Sequence, residues 1–419
     1  MPQDIIVVGG GASGMMAAGR AAECGASVLL LEKTTRLGNK LRMTGKGRCN
    51  LTNDVEMESF ITHFGTNGRF LYGAFSRFFV YDLIAFFNEH GVETKVERGK
   101  RVFPISDDAN QIAAALQAYL KKGRVRIRHE APVISIIVEG GRAVGVQAGE
   151  RKVPASAVIL AAGGSSYPRT GSAGDGYRMA AEVGHTIIPI RPALVPLVVA
   201  ESYPQELEGL SLRNVKVMLL ANDVIIAERF GEMLFTSFGV SGPIILSLSK
   251  TAVDALAAGK KVQISIDLKP ALSDEQLDAR LIRDLNDYGR RAFHNILKGL
   301  LPSKMIWLFV RLSKIPARKP AHQINSQERG RLHSLLQDFR LTITASRPLS
   351  EAIITAGGVD TDEINPRTME SKIVKGLYFC GEIIDIDADT GGYNLQAAFS
   401  TGHLAGESAG RACLPEGQV

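Results

Sequence analysis

Apolar positions along the chain follow two rhythms. From the N-terminus, short apolar runs such as IIVV (5–8) and VLLLEK (28–33) alternate with small-residue or amphipathic stretches of helical spacing. That alternation predicts a parallel sheet with helices on its faces. Val80–His90 predicts an amphipathic helix stopped at Gly91, and Ser106 or Asp107 a cap for a helix that runs to Lys122. Residues 125–147 switch to period two around Gly140-Gly141, a strand meander. Ala157–Ala162 predicts a buried strand, and Ser172–Val183 a further helix closed by Gly184. After about Arg191 strand-like segments with frequent prolines take over, and Ser273 opens a helical stretch that reaches about Gln337. Strand texture resumes at Leu341–Thr344 and Ala352–Thr355.

The expected layout is an α/β domain over 1–190, a β-rich inserted domain over 191–272, a helical insertion over 273–338, a β-rich return over 339–357 and completion of the α/β domain over 358–419. At 419 residues the chain is long enough for that division. The apolar runs are strand-length, so no transmembrane segment is expected. Met1–Asp4 leads straight into the first strand without a basic or cleavable leader. The four cysteines form no C-x-x-C pair. Together these predict a cytoplasmic protein.

The net charge of +6 is local. Residues 289–331 hold ten Lys or Arg against one acid, Glu328. A solvated helical face explains this most simply. Attraction of acidic substrates, or of RNA as in flavoproteins that modify tRNA, is the sharper alternative. The centre of the stretch, MIWLFVRL with Trp307, also suits a substrate cavity or a membrane surface.

The chemistry begins at Gly9-x-Gly11-x-x-Gly14, which follows a strand and opens a helix, with Glu32 at the end of the next strand. Gly9 suits the tight turn, Gly11 the approach of a pyrophosphate and Gly14 close helix–strand packing, while Glu32 accepts hydrogen bonds from an adenosine ribose. NAD and FAD share this cradle. A long loop of glycine, base and amide (36–53) follows Glu32, and a glycine-led helix closes the chain after Gly391. A cofactor held between first and last segments needs the length of FAD. No second G-x-G-x-x-G occurs between Gly91 and Gly358. NAD(P)H is therefore expected to dock only transiently, in a cavity shared with the organic substrate. The eight histidines lack ligand spacing, so no metal is assigned.

The segments GGGASG, TGKGRCNLTN, GEMLFTSFGVSGP, TAGGVDTDEINPRTMESK and GLYFCGEIIDIDADTGGYNLQ resemble the BaiN/YhiN-like flavoprotein family of NAD(P)/FAD-dependent oxidoreductases. The resemblance implies a Rossmann-type, glutathione-reductase-like FAD-binding domain with β-rich and helical insertions. It also implies NAD(P)H-dependent reduction of conjugated C=C bonds in steroid-like 3-oxo substrates or other small organic molecules, or flavin-dependent oxidation of a small amine or amino ketone by oxygen. FAD is expected to be non-covalent, since no His or Cys sits in a flavinylation motif; the oligomeric state is left open.

On this reading Gly9, Gly11, Ala12, Ser13, Gly14, Glu32 and Lys33 serve the ADP half, Val133 meets adenine through its backbone, and Ala162 and Gly163 close the loop over the cofactor. Lys40, Thr44, Gly45, Arg48, Cys49 and Asn50 line the flavin edge, with Cys49 packing rather than reacting. Gly381, Glu382, Gly392, Tyr393, Asn394 and Leu395 surround the flavin and its ribityl chain. Lys46 and Arg48 are candidates to stabilise an anionic enolate or the flavin N1 region, or else to neutralise phosphates. Tyr393, with Tyr167 and His403, is a candidate proton donor.

Overall fold

The computed structural model describes residues 3–413; Met1, Pro2 and the end of the 358–419 segment lie outside them. The chain divides into two units, one running through Pro192 and resuming at Leu349, the other spanning Ala193–Pro348.

The first unit opens with β1 (Gln3–Val8), α1 (Ala12–Glu23) and β2 (Val28–Leu31). A small antiparallel sheet follows, formed by β3 (Thr52–Asn53), β4 (Thr94–Glu97) and β5 (Arg101–Pro104). Then come β6 (Arg126–Arg128), β7 (Val133–Glu139), β8 (Arg142–Ala148) and β9 (Arg151–Leu160). The second unit follows β10 (Ile187–Ala193) and closes a barrel from β11 (Leu197–Val199), β12 (Ser211–Ala221), β13 (Val224–Thr236), β14 (Gly239–Ser241), β15 (Val262–Asp267) and β16 (Phe339–Ser346). Back in the first unit, β17 (Ile354–Val359) pairs with β10, and β18 (Leu377–Phe379) lies parallel on β9.

The main sheet has the order β6-β2-β1-β9-β8-β7. Its parallel centre is apolar on both faces, with Ile5, Ile6, Val7, Leu30, Val158 and Leu160 fully buried, as a sheet covered on two sides requires. β9 changes partner and pairing direction along its length within this sheet. Arg151–Pro154 pair antiparallel with β8, and Ala155–Leu160 pair parallel with β1. The buried strand expected at Ala157–Ala162 is thus the second half of a longer one. Of the expected meander over 125–147, only β7 and β8 form a hairpin; Arg126–Arg128 instead extends the parallel edge beside β2.

The C-terminal helix, Tyr393–Ala412, lies along α1. A Cβ at Gly402 or Gly406 would stand 2.4 Å from Ser13 O or 2.3 Å from Ala17 O. The two backbones approach too closely for any larger side chain, so the first and the last helix form one packed layer. Met15, Met16, Ala17 and Ala18 are fully buried in that unit's core, each large apolar side chain contributing about 1.5–3 kcal/mol.

Helix ends moved by a few residues where caps decided them. Asp108, not Ser106 or Asp107, caps Ala109–Lys122 by accepting from Asn110 N at 2.8 Å. The expected Ser172–Val183 helix is Asp175–Glu182. In the second unit Ser273 and Gln276 form a capping box for Asp274–Tyr288, and Ser303–Ser313 and Ser326–Gln337 follow. The barrel interior takes alternate residues, Val217 and Leu219, Ile264 and Ile266, Leu341 and Ile343. A 15-residue helix, Pro243–Ala257, interrupts the stretch read as purely β-rich. Residues 354–357 belong to β17 in the first unit, not to a β-rich return.

Candidate functional site

The first loop uses its three glycines differently. Gly9 has φ 104°, and a Cβ there would lie 2.5 Å from Ala161 O; a Cβ at Gly14 would lie 1.9 Å from Gly9 O. Both positions are demanded by the protein's own backbone. A Cβ at Gly11 meets nothing within 4 Å, so the protein itself does not require glycine there, and the space over it is open to a ligand. Gly11 also caps α1 without a side-chain hydrogen bond, leaving the N–H groups of the first turn, with Ala12 and Ser13, to an anion.

Glu32 is buried at 8% exposure. Its Oε2 accepts from Gly10 N at 2.8 Å, and its Oε1 from Thr34 N and Thr34 Oγ1, each at 2.8 Å. The carboxylate therefore braces the glycine loop as well as ending β2. Lys33 pairs with Asp175. A cavity of about 240 Å³ opens at the carboxyl ends of β2 and β6, lined among others by Leu31, Arg128, Ala131 and Pro132. Ligands in parallel α/β sheets collect at that edge. Val133 begins the next strand, paired with Ala148. Ala162 and Gly163 follow β9, Gly163 with φ 71°.

In the loop after β2, Lys40 Nζ donates to Glu382 Oε2 at 2.6 Å and to Ser166 Oγ at 2.5 Å. Glu382 Oε1 also accepts from Thr355 N at 2.8 Å. One ion pair thereby ties four distant segments together. Thr44 Oγ1 donates to Leu41 O, and Gly45 and Lys46 both turn through positive φ. Cys49 is fully buried, and burial pushes its thiol up to about 12, so at neutral pH it is a packing group and not a nucleophile.

Arg48 does not carry the free charge expected of it. It bonds Glu97 and Asp107 at 2.5 and 2.6 Å and stacks over Phe103 at 4.1 Å. Lys46 is exposed with no carboxylate within 4 Å among the described residues. Asn50 Oδ1, Thr52 Oγ1 and Asn53 Oδ1 are buried without any hydrogen-bond partner. Three adjacent orphaned oxygens are costly unless something outside the chain satisfies them.

The C-terminal helix starts against that segment. Gly392 caps it at φ 101° without a side-chain bond, and a Cβ there would lie 2.5 Å from Thr52 C and O. Asn53 Nδ2 donates to Gly391 O at 3.2 Å. Gly381 closes on α1, where a Cβ would stand 2.4 Å from Ser13 Oγ. Tyr393 is buried, which pushes its phenol up to about 12. Its ring stacks on His63 with centroids 3.9 Å apart, and His63 Nδ1 lies 3.1 Å from Asp389 Oδ2. His63 was missed because it sits in no motif, and Asp389, though inside the GLYFCGEIIDIDADTGGYNLQ segment, gains its partner only when the fold brings His63 beside it and Tyr393. Asn394 turns inward, accepting from Ala388 N at 2.9 Å and donating to Ala388 O at 3.0 Å, so it shapes the preceding loop. Leu395 packs on the core. His403 is stacked on Phe78 and pushed down to about 4 by burial, which leaves it neutral at physiological pH.

These features fit FAD: an open cradle at Gly11, two helix N-termini without side-chain caps, and orphaned polar atoms at Asn50–Asn53. Among the described residues no group of three or more His, Cys, Asp or Glu side chains is placed to hold a metal ion, and no single helix is long and apolar enough to cross a membrane.

The chain is 34% identical over 405 residues to a 3-dehydro-bile acid delta(4,6)-reductase of Clostridium scindens, covering 96% of this chain and 98% of that one. It is 32% identical over 401 residues to a ribosomal RNA dihydrouridine synthase of Escherichia coli, covering 95% and 96%. The fold is shared with the 3-ketosteroid delta1-dehydrogenase of Sterolibacterium denitrificans (TM-score 0.53, 13% identity, 98% of this chain and all of that one). It is shared also with a flavocytochrome c3 fumarate reductase (TM-score 0.51, 17% identity, 99% and 79%). Residues 3–408 match the HI0933-like protein Rossmann domain, and the chain belongs to that family as an FAD-dependent oxidoreductase.

Proposed function

We propose that this enzyme reduces a C=C bond conjugated to a carbonyl, with NADH or NADPH as the electron donor. The observation that carries the reading is the set of orphaned oxygens at Asn50–Asn53 against the uncapped N-terminus of the C-terminal helix. That is a polar rim prepared for a flavin, in a chain with two full-length relatives whose named reactions share one bond type. A 3-oxo steroid with Δ4 and Δ6 double bonds is a conjugated enone, and making dihydrouridine saturates a ring C=C conjugated to a carbonyl. Overall, substrate, NAD(P)H and one proton become the saturated product and NAD(P)⁺.

FAD, when bound, supplies the two-electron hydride chemistry. The chain does the rest. Gly9 to Gly14 and Glu32 hold the ADP half, and Asn50, Thr52 and Asn53 hold polar ring atoms. Lys40, locked on Glu382, fixes the loop between them. Tyr393 keeps its proton through neutral pH, and His63, with Nδ1 turned to Asp389, offers Nε2 for proton exchange.

Anaerobic spectroscopy tests this. NADH or NADPH is expected to bleach the yellow protein, and a 3-oxo-Δ4 steroid or a uridine-containing RNA to restore the colour, with parallel double-reciprocal lines in turnover. Flavin that no nicotinamide reduces, or that only oxygen reoxidises after an amine, overturns the reading.

A further inference from the structure

We propose that the Ser303–Ser313 helix of the second unit, with the neighbouring chain at 291–294 and 317–319, is a docking surface for single-stranded or loop RNA. The inference deepens the reading above by naming the class of molecule that carries the conjugated bond.

Lys304, Trp307 and Arg311 recur at i, i+3 and i+7, which puts them on one helix face, and Lys314 follows as the left-handed cap at the helix end. All four are exposed, Trp307 at 62%, while Met305, Ile306, Leu308 and Phe309 bury the other face in the core. The His294 ring lies parallel to Trp307, 11° between planes and 5.6 Å between centroids. His294 is itself pinned to Ala317 O through its backbone N and its Nδ1. Phe293 N donates to Lys319 O at 2.9 Å, so Arg291, His294 and Arg318 come from two segments bonded side by side.

The ten cations counted in the sequence separate into three sets. Lys319 is held by Glu328, Arg329 by Asp278 and Arg331 by Ser313 O, all internal fastenings. Arg311 meets Glu206, and Lys304 meets Glu208 O, at the surface. Arg290, Arg291, Lys298, Lys314 and Arg318 are exposed with no carboxylate within 4 Å among the described residues.

The exposed cations Lys304 and Arg311 along about 15 Å of helix, with the unpaired Arg291, Lys314 and Arg318 on the chain beside it, exceed what a small anion spans and match a phosphate backbone. An exposed aromatic platform among them suits an unstacked base, the recurring mode for RNA loops. A membrane surface would need the apolar side of the helix outward, and that side is buried.

Trp307 is the only tryptophan in the chain, so intrinsic fluorescence reports on this face alone. The holoprotein is titrated with a short RNA hairpin bearing a uridine-rich loop, at several salt concentrations, against phosphatidylserine vesicles and an acidic peptide. RNA is expected to quench Trp307 with an affinity that falls steeply with salt. Trp307→Ala, followed by a labelled hairpin, is expected to weaken binding about 5- to 150-fold. Arg291→Glu, Lys314→Glu and Arg318→Glu are expected to lower the salt slope by about one each, with the flavin spectrum and its bleaching by nicotinamide unchanged. Unaltered RNA affinity in the charge-reversed protein, or equal quenching by vesicles or peptide, overturns the surface. RNA binding without any uridine reduction would leave the surface standing and refute only the substrate, and steroid reduction without RNA binding would do the reverse.

Discussion

The glycine loop of the first unit and the Ser303–Ser313 face of the second both present positive potential, by opposite means. Around the loop, side-chain cations are neutralised: Lys33 by Asp175, Lys40 by Glu382, Arg48 by Glu97 and Asp107. Apart from Lys46, what remains for an anion is backbone N–H at helix starts, rigid and already oriented. On the helical surface the cations are side chains on long flexible stems, and Arg290, Arg291, Lys298, Lys314 and Arg318 have no carboxylate within 4 Å among the described residues. Paired cations lock a loop into shape, and unpaired ones stay available to a molecule that arrives from outside. Counting charges in the sequence does not separate these uses. It grouped Lys319 with Arg318, although Glu328 holds Lys319, and the sequence offered Arg48 beside Lys46 as a candidate to stabilise an enolate or the flavin N1 region, or to neutralise phosphates, although Glu97 and Asp107 hold it.

The largest expected effect breaks the backbone side of this contrast. Gly14→Val drives a side chain into Gly9 O, and the protein is expected to lose its fold in this region together with all flavin. Gly11→Val meets no protein atom at its Cβ. It is expected to keep the wild-type melting temperature without cofactor while crowding the ligand by about 1–3 kcal/mol, roughly 5- to 150-fold in Kd. Differential scanning fluorimetry of the apoprotein and flavin titration separate the two. A Gly11→Val protein that binds FAD normally would show that the cradle is not where the phosphates lie.

Next comes Glu32→Ala. Charge-assisted bonds of about 1.5–3 kcal/mol are lost, so FAD is expected to bind roughly 10- to 150-fold more weakly. Equilibrium dialysis gives the number, and unchanged affinity would mean that Glu32 only braces Gly10 and Thr34.

The smallest effect sharpens the other side. If Arg48 is spent on its carboxylates, Arg48→Gln leaves the flavin affinity near wild type and changes the acid limb of stability instead. The Arg48 guanidinium holds Glu97 below the usual 4.5, and Lys95 together with Arg48 holds Asp107 below the usual 3.8. Carboxylates lowered in the folded state add stability that is complete above those usual values and is lost as pH falls through the folded ones. The wild type is therefore expected to exceed the variant in denaturant midpoint at neutral pH, with the gap closing below about pH 4. A gap that persists in acid, or a large loss of flavin, would return Arg48 to the cofactor.

The sequence by itself determined the features that depend on near neighbours. Gly9, Gly11, Gly14 and Glu32 announce a nucleotide loop because turn, helix start and strand end lie within one short βαβ stretch. The parallel core was legible for the same reason, since fully apolar strands and amphipathic helices are local periodicities. Tertiary structure alone decided the rest. Lys40 meets Glu382 across 342 positions, and His63 meets Asp389 across 326; no periodicity reaches that far. The Pro243–Ala257 helix opens on the short apolar run Pro243–Leu246 among strand-like neighbours, and a short apolar run reads alike in a buried helix and a buried strand. β17 joined the first unit because pairing with β10, not its own strand texture, assigns its sheet. Whether a cation is spent or free depends on which carboxylate the fold carries to within 4 Å, and that distance is a property of topology, not of composition.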